Sequence, residues 1–179
     1  MGTLRTGIVH EQPVSLSVMP YLFYFSELGL TPKIVGCGTG IVYFEHISSP
    51  HFATEMNRLT RSEERVPMVQ ALGRTAAIFS KYGVSHLDFH HYNVLRSDKP
   101  LTIDWITASR CPHFDRTDLD YMSWRILQEH PARNGAPNWG QIMADAFDAE
   151  LATPLTRSES EIEDLFNARK MTETLPWKP

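Results

Sequence analysis

An α+β fold of two unequal parts is what this sequence predicts: a small sheet-bearing N-terminal part followed by a mainly helical remainder. Two observations carry that expectation. Up to residue 47 the apolar residues fall in short runs rich in β-branched and aromatic side chains, punctuated by glycine. From Pro67 onward they recur three and four residues apart, the spacing of a helix face. With 179 residues, 42% hydrophobic and 21% charged, the chain has enough apolar side chains for one core and is too apolar to be disordered. The expected divisions are 1–47, 48–156 and 157–179, the last an appended helix and tail.

The same composition excludes several classes. Seventeen basic against 21 acidic residues give a net charge of -4, so nothing drives the chain as a whole onto nucleic acid. No apolar run is long enough to span a bilayer. Cys37 and Cys111 stand alone, which excludes a disulfide scaffold and a thiolate metal cluster. The N-terminus has no signal-peptide core, so a cytoplasmic address is expected, although Met1 to Thr6 fits the loose N-myristoylation pattern.

Taken in order, Val14, Leu16 and Val18 alternate with serines and read as a short strand. Tyr21 to Leu28 reads as a buried helix closed by Gly29, its aromatics belonging to the core; left exposed, they would be a docking surface. Lys33–Val35 and Ile41–Ile47 read as strands joined by the Gly36–Gly40 turn. Ser48-Ser49-Pro50 breaks the pattern and reads as a linker. A helix is expected from Pro67 to Gly83, with Met68, Leu72, Ala76 and Phe79 inward. A polar cluster, His86 to Asn93, leads into Val94-Leu95, a turn at 97–100, and the strand Leu101–Ile103. Asp118–Leu127 is a helix with Leu119, Met122, Ile126 and Leu127 as its apolar face, and Trp105 and Trp124 are expected in the core. Residues 131–137 form a loop and Trp139–Leu151 a helix. Ser158-Glu159-Ser160-Glu161 matches a capping box opening a last helix.

Chemistry concentrates in His86-Leu87-Asp88-Phe89-His90-His91-Tyr92-Asn93 and in Ile103-Asp104-Trp105. The pattern is H-x-D-x-x-x-x-N, a β-turn-β, then an aspartate leaving the second strand. Phosphoryl transfer uses a carboxylate to orient the attacking hydroxyl, and an amide oxygen with a second carboxylate to hold Mg²⁺. Asp88 and Asn93 are 5 apart, within one loop, and the hairpin returns Asp104 beside them 11 residues later. Two plainer readings fit parts of this: histidines making local hydrogen bonds, or a transition-metal site built from His-x-Asp-x-His-His.

In these residues the chain resembles the protein-kinase-like superfamily, above all its atypical members: RIO kinases, the KEOPS-associated kinase, bacterial lipopolysaccharide kinases, and aminoglycoside and choline phosphotransferases. The resemblance implies a bilobal kinase-like fold with a truncated N-lobe. It makes Asp88 the catalytic base, Asn93 and Asp104 the metal ligands, His86 the structural histidine of the loop, and Asp118 the aspartate that braces its backbone. Phe44-Glu45-His46-Ile47 is similar to the interlobe hinge, so the Glu45 carbonyl and Ile47 N–H become the adenine contacts. The implied function is an ATP-dependent phosphotransferase using ATP with Mg²⁺ or Mn²⁺. Only 41 residues separate Glu45 from His86, which favours the compact plan of the RIO and KEOPS-associated members.

Departures from that pattern open the alternatives. No glycine-rich phosphate loop is identifiable, Ile106 replaces the glycine of Asp-Phe-Gly, and before the hinge only Lys33 offers an ammonium group. Arg5 is a substitute cation, and Glu11 or Glu27 a partner acid. A pseudokinase scaffold is therefore the second expectation, with a protein partner or a second copy of the chain supplying a cation in trans as a variation on the first. The third is an S-adenosylmethionine-dependent methyltransferase, suggested by Gly36-Cys37-Gly38-Thr39-Gly40, though Ile34 stands where that motif carries an acid. The phosphoryl acceptor is not written in the sequence.

Overall fold

A computed structural model describes residues 9–59, 61–96, 99–130 and 137–172. Strand β1 (Val9–Pro13) is followed by helix α1 (Met19–Glu27), strand β2 (Ile34–Gly38) and strand β3 (Ile41–Glu45). The three strands make one antiparallel sheet in the order β1-β3-β2. Its register pairs His10 with Phe44 and Gln12 with Val42, and a bulge separates Ile34 from Gly36 on β2. The Gly36–Gly40 run is thus part of a β-hairpin, and a strand follows it where a methyltransferase needs a helix. Pairing is antiparallel throughout the described strands, which removes the methyltransferase expectation.

After residue 45 the chain crosses in extended form to α2 (Phe52–Arg58) and α3 (Ser62–Lys81). Four short strands then frame the polar cluster: β4 (Val84–Ser85) pairs with β7 (Ser109–Arg110), and β5 (Val94–Leu95) with β6 (Leu101–Thr102). A 3₁₀ turn, Trp105–Thr107, lies between β6 and β7, and α4 (Thr117–Glu129), α5 (Trp139–Leu151) and α6 (Glu159–Thr172) complete the chain. The architecture is the α+β one that the sequence predicts.

Local chemistry explains the boundaries. Helix α1 ends in a Schellman motif: Gly29 takes φ +70°, Leu30 N–H donates to Phe25 O at 2.9 Å, and Gly29 N–H donates to Ser26 O at 3.2 Å. Gly73 lets α3 lie against α5, since a Cβ there would sit 2.3 Å from the Met143 carbonyl oxygen. The capping box of α6 is reciprocal, Ser158 N–H donating to Glu161 Oε2 at 2.7 Å and Glu161 N–H to Ser158 Oγ at 3.3 Å.

Four expectations need correction. The first strand lies at 9–13 and not at 14–18; Val14 and Val18 are buried four residues apart while Leu16 is exposed, a turn leading into α1. Helix α3 begins at Ser62, so Pro67 sits inside it; Glu63 and Glu64 complement the N-terminal dipole, and the proline forfeits only one early hydrogen bond. Trp124 is 52% exposed, stacked on Tyr121, and Leu127 is also outward. Helix α2 was not foreseen at all, although Phe52, Ala53 and Met56 fall at helical spacing. Of the loop expected at 131–137 only residue 137 is among the described residues, and Met1 to Thr6, Arg5 included, lie wholly outside them.

One hydrophobic core runs from α1 through α3 to α4 and α5. Tyr21, Phe23, Tyr24 and Phe25 are all buried in it, so they offer no docking surface. At its centre Trp105, fully buried, has Phe79 4.9 Å away edge-on and Phe25 6.0 Å away, and its indole N–H donates to Thr102 O at 3.1 Å. Trp105→Ala is expected to cost about 3–5 kcal/mol, a fall of roughly 10 °C or more in Tm for a chain this size. A melt within about 2 °C of wild type would contradict that placement.

Candidate active site

The loop from His86 to Asn93 is held at its start by α4. Asp118, in the first turn of that helix, is buried and accepts three hydrogen bonds: from His86 N–H at 2.7 Å, Leu87 N–H at 3.0 Å and Ser85 Oγ at 3.1 Å. Burial outweighs the three donors and pushes its carboxyl up to about 6. His86 is fully buried; its Nε2–H donates to the Ile103 carbonyl at 2.9 Å, and its ring lies 4.7 Å from that of Trp105. Burial pushes the imidazole down to about 4, so it is neutral at physiological pH. One histidine therefore ties the loop to the strand that delivers Asp104.

These two groups act oppositely on acidification. The unfolded chain protonates His86 near pH 6.5 and the folded chain only near 4, so stability falls across that window. Asp118 takes its proton in the folded chain near 6 and in the unfolded chain near 3.8, so it restores stability over nearly the same window. Asp118→Asn removes the restoring half. Urea denaturation should then show the variant losing about 2 kcal/mol more than wild type between pH 6 and pH 4. Parallel pH curves for the two proteins would refute this.

Within the loop, Asn93 Nδ2 donates to Asp88 Oδ2 at 2.9 Å and to the Asp88 carbonyl at 3.1 Å. His90 receives the Tyr92 N–H on Nδ1 at 3.2 Å, which leaves its Nε2–H facing Asp88 Oδ1 at 3.4 Å. Both carboxylate oxygens of Asp88 are thus held, while its side chain stays 38% exposed. Asp104 follows the backbone hydrogen bond from Ile103 N–H to Asn93 O, 2.9 Å, and is partly buried at φ +63°. Leu87, just before Asp88, also has a positive φ of 62°. Left-handed backbone costs a non-glycine residue about 1–2 kcal/mol, and here it falls beside both carboxylates. Asn93 and Asp104 offer oxygen donors only, the set that suits a hard cation such as Mg²⁺.

A cleft of about 550 Å³ opens between the sheet and the β5–β6 hairpin. Glu45 and Ile47 line it, with Phe44, Leu95 and Ile103 as apolar walls. From β1, His10 and Gln12 face the cleft; Glu11, between them, is exposed on the other side of the strand. His10 Nε2 lies 3.0 Å from His46 Nδ1 across the cleft's rim. The Gln12 side-chain oxygen accepts the Trp105 N–H at 3.1 Å, tying β1 to the residue after Asp104. Lys33 is exposed at the start of β2, the edge strand farthest from β1, and Glu27 pairs with Arg157 and Arg169. Neither takes part in the cleft.

The structure thus brings together His86, Asp88, Asn93, Asp104 and Asp118, while Glu45 and Ile47 line the cleft, which Leu95 and Ile103 connect to that group through the β5–β6 hairpin. Gln12 and His90 were not anticipated as site residues. Their signal was weak: β1 carries no apolar alternation, and His90 is one of several loop histidines.

No protein-family model and no curated protein matches the sequence. By structure the chain is similar to WaaP, solved in complex with acyl carrier protein. The TM-score is 0.56 with 14% identity, and the match covers 86% of this chain and 74% of that one. The fold is therefore kinase-like. Among the described residues no helix is long and apolar enough to cross a membrane.

Proposed function

We propose that the chain is an ATP-dependent phosphotransferase of the kinase-like fold, with adenine in the cleft beside Glu45 and Ile47. The observation that carries this reading is the Asp88–Asn93 hydrogen bond beside a strand that delivers Asp104. Ile103, which lines a cleft large enough for a nucleoside, is bonded to Asn93 and precedes Asp104, so these residues stand next to that cleft. Asn93 Oδ1 and the Asp104 carboxylate would hold Mg²⁺ or Mn²⁺. The ion, when bound, neutralises charge on the phosphates. Asn93 commits its amide N–H to Asp88 and keeps the carbonyl oxygen for the cation.

Asp88 orients the acceptor hydroxyl and takes its proton. The His90 N–H and the Asn93 amide keep that carboxylate from rotating away. His86, neutral and donating to Ile103, holds the metal-bearing segment against the loop without adding charge. Trp105 and the phenylalanines around it fix the same segment from below.

Gln12 favours a second reading. On β1 the cleft meets a neutral amide and no cation, and that amide is already bonded to Trp105 N–H. Nucleotide would then bind without transfer, as in a pseudokinase. Calorimetric titration with a non-hydrolysable ATP analogue separates both readings from neither. Binding that needs Mg²⁺ or Mn²⁺ supports the site, and the added loss of γ-phosphate from ATP supports the enzyme. No heat with either metal overturns both.

A further inference from the structure

We propose that His91, Glu129 and His130 form a binding site for a divalent first-row transition ion, zinc above all, between the catalytic loop and the last turn of α4. The proposal does not rest on the phosphotransferase reading. Donor atoms of these three residues all lie within 4.8 Å of one another. Two imidazoles and a carboxylate are the ligand set of zinc sites that keep a fourth position for water. Zinc bonds of about 2.0–2.1 Å at tetrahedral angles put ligand atoms roughly 3.3 Å apart. His91 Nε2 and Glu129 Oε2 already stand at 2.8 Å, and since no pair of donor atoms exceeds 4.8 Å, side-chain shifts of about 1.5 Å or less close the cluster on an ion. Glu129, 28% exposed, has the freedom to make them.

A second observation is independent of that spacing. His130 Nε2 is buried without a hydrogen-bond partner, and so is Arg125 Nε. A buried polar atom left unpaired costs about 1–3 kcal/mol, and His91 is fully buried, out of reach of water. Its ring centre is 6.1 Å from that of His130. An ion that takes the Nε2 lone pair of His130 gives that buried atom the partner it lacks. Arg125 Nη2 holds Glu129 Oε1 at 3.3 Å, which leaves Oε2, now bonded to His91 and the Tyr92 hydroxyl, to face the ion. Nitrogen-rich donors separate this site from Asn93 and Asp104, whose oxygens suit Mg²⁺.

With the ion bound, α4 would grip the loop at both ends: Asp118 at its first turn on residues 86 and 87, and Glu129 with His130 at its last on His91. His91 is two residues from Asn93, so the ion would stiffen the segment that carries that amide.

The test uses the full chain, stripped with EDTA, dialysed and titrated with zinc chloride in the absence of nucleotide. Calorimetry should show one equivalent bound, and the melting temperature should rise with it. His130→Ala and Glu129→Gln should each weaken binding about 100-fold or more while keeping the metal-free melt and circular dichroism of wild type. Asp104→Ala should leave the zinc isotherm unchanged. Failure to reach one saturable equivalent overturns the proposal. So does an isotherm that survives both His130→Ala and Glu129→Gln, since zinc then sits elsewhere, for example on His10 and His46.

Discussion

Alanine at Asp104 is expected to abolish metal-dependent ATP binding. Among the described residues Asp104 is the carboxylate that β6 brings beside Asn93, and an amide oxygen alone does not hold Mg²⁺ against its own hydration. The loss should be about 100-fold or more in affinity. It is readable as stabilisation: ATP·Mg²⁺ at a hundred times its Kd raises stability by about 2.7 kcal/mol, some 5–10 °C in Tm for a chain of this length. The Asp104→Ala protein should show almost none of that rise at the same concentration. Since Asp104 is partly exposed and makes no core contact comparable to Trp105, the variant should still fold. A full ATP-dependent shift in the variant would mean that the cation, if any, is held elsewhere.

Asparagine at Asp88 is expected to do the converse. It is nearly isosteric, it keeps an oxygen for the Asn93 amide, and it cannot take a proton from an acceptor. Nucleotide affinity should stay within about threefold, while turnover of the γ-phosphate should fall by about 10²–10⁴. Turnover and calorimetric Kd measured on one preparation check this. Equal losses in both would assign Asp88 to binding, and unchanged turnover would remove it from the chemistry.

How much of this the sequence shows depends on the kind of interaction. Asp88, Asn93 and Asp104 are legible because a loop and a tight hairpin join them, so spacing alone nearly sets their geometry. Asp118 is legible only through the family resemblance: that it opens a helix is local, but that its carboxylate meets the N–H groups of His86 and Leu87 is a long-range fact. Helix α5 is read to the residue, with Asn138 accepting the Gln141 N–H as its cap. Strand β1 is not legible, because Val9-His10-Glu11-Gln12-Pro13 has no apolar period and pairs only along β3. Its place in the sheet is a long-range fact, and so is the Gln12 contact with Trp105, 93 residues away. Trp124 misleads for the opposite reason. A large apolar residue on an amphipathic helix predicts burial, yet it falls outside the stripe of Leu119, Met122 and Ile126 and stacks on Tyr121 at the surface. The His91–Glu129–His130 cluster is hidden in the same way, since its members are 38 and 39 residues apart in sequence.

The central claim is that one cleft holds nucleotide between the Glu45–Ile47 segment and the Asp88–Asn93–Asp104 group. A crystal structure of the chain with a non-hydrolysable ATP analogue and Mg²⁺ tests it most directly. The account predicts adenine against the backbone of Glu45 and Ile47, the cation on Asn93 Oδ1 and the Asp104 carboxylate, and the γ-phosphate turned toward Asp88. Nucleotide bound outside that cleft, or a cation in it that touches neither Asn93 nor Asp104, would contradict the account.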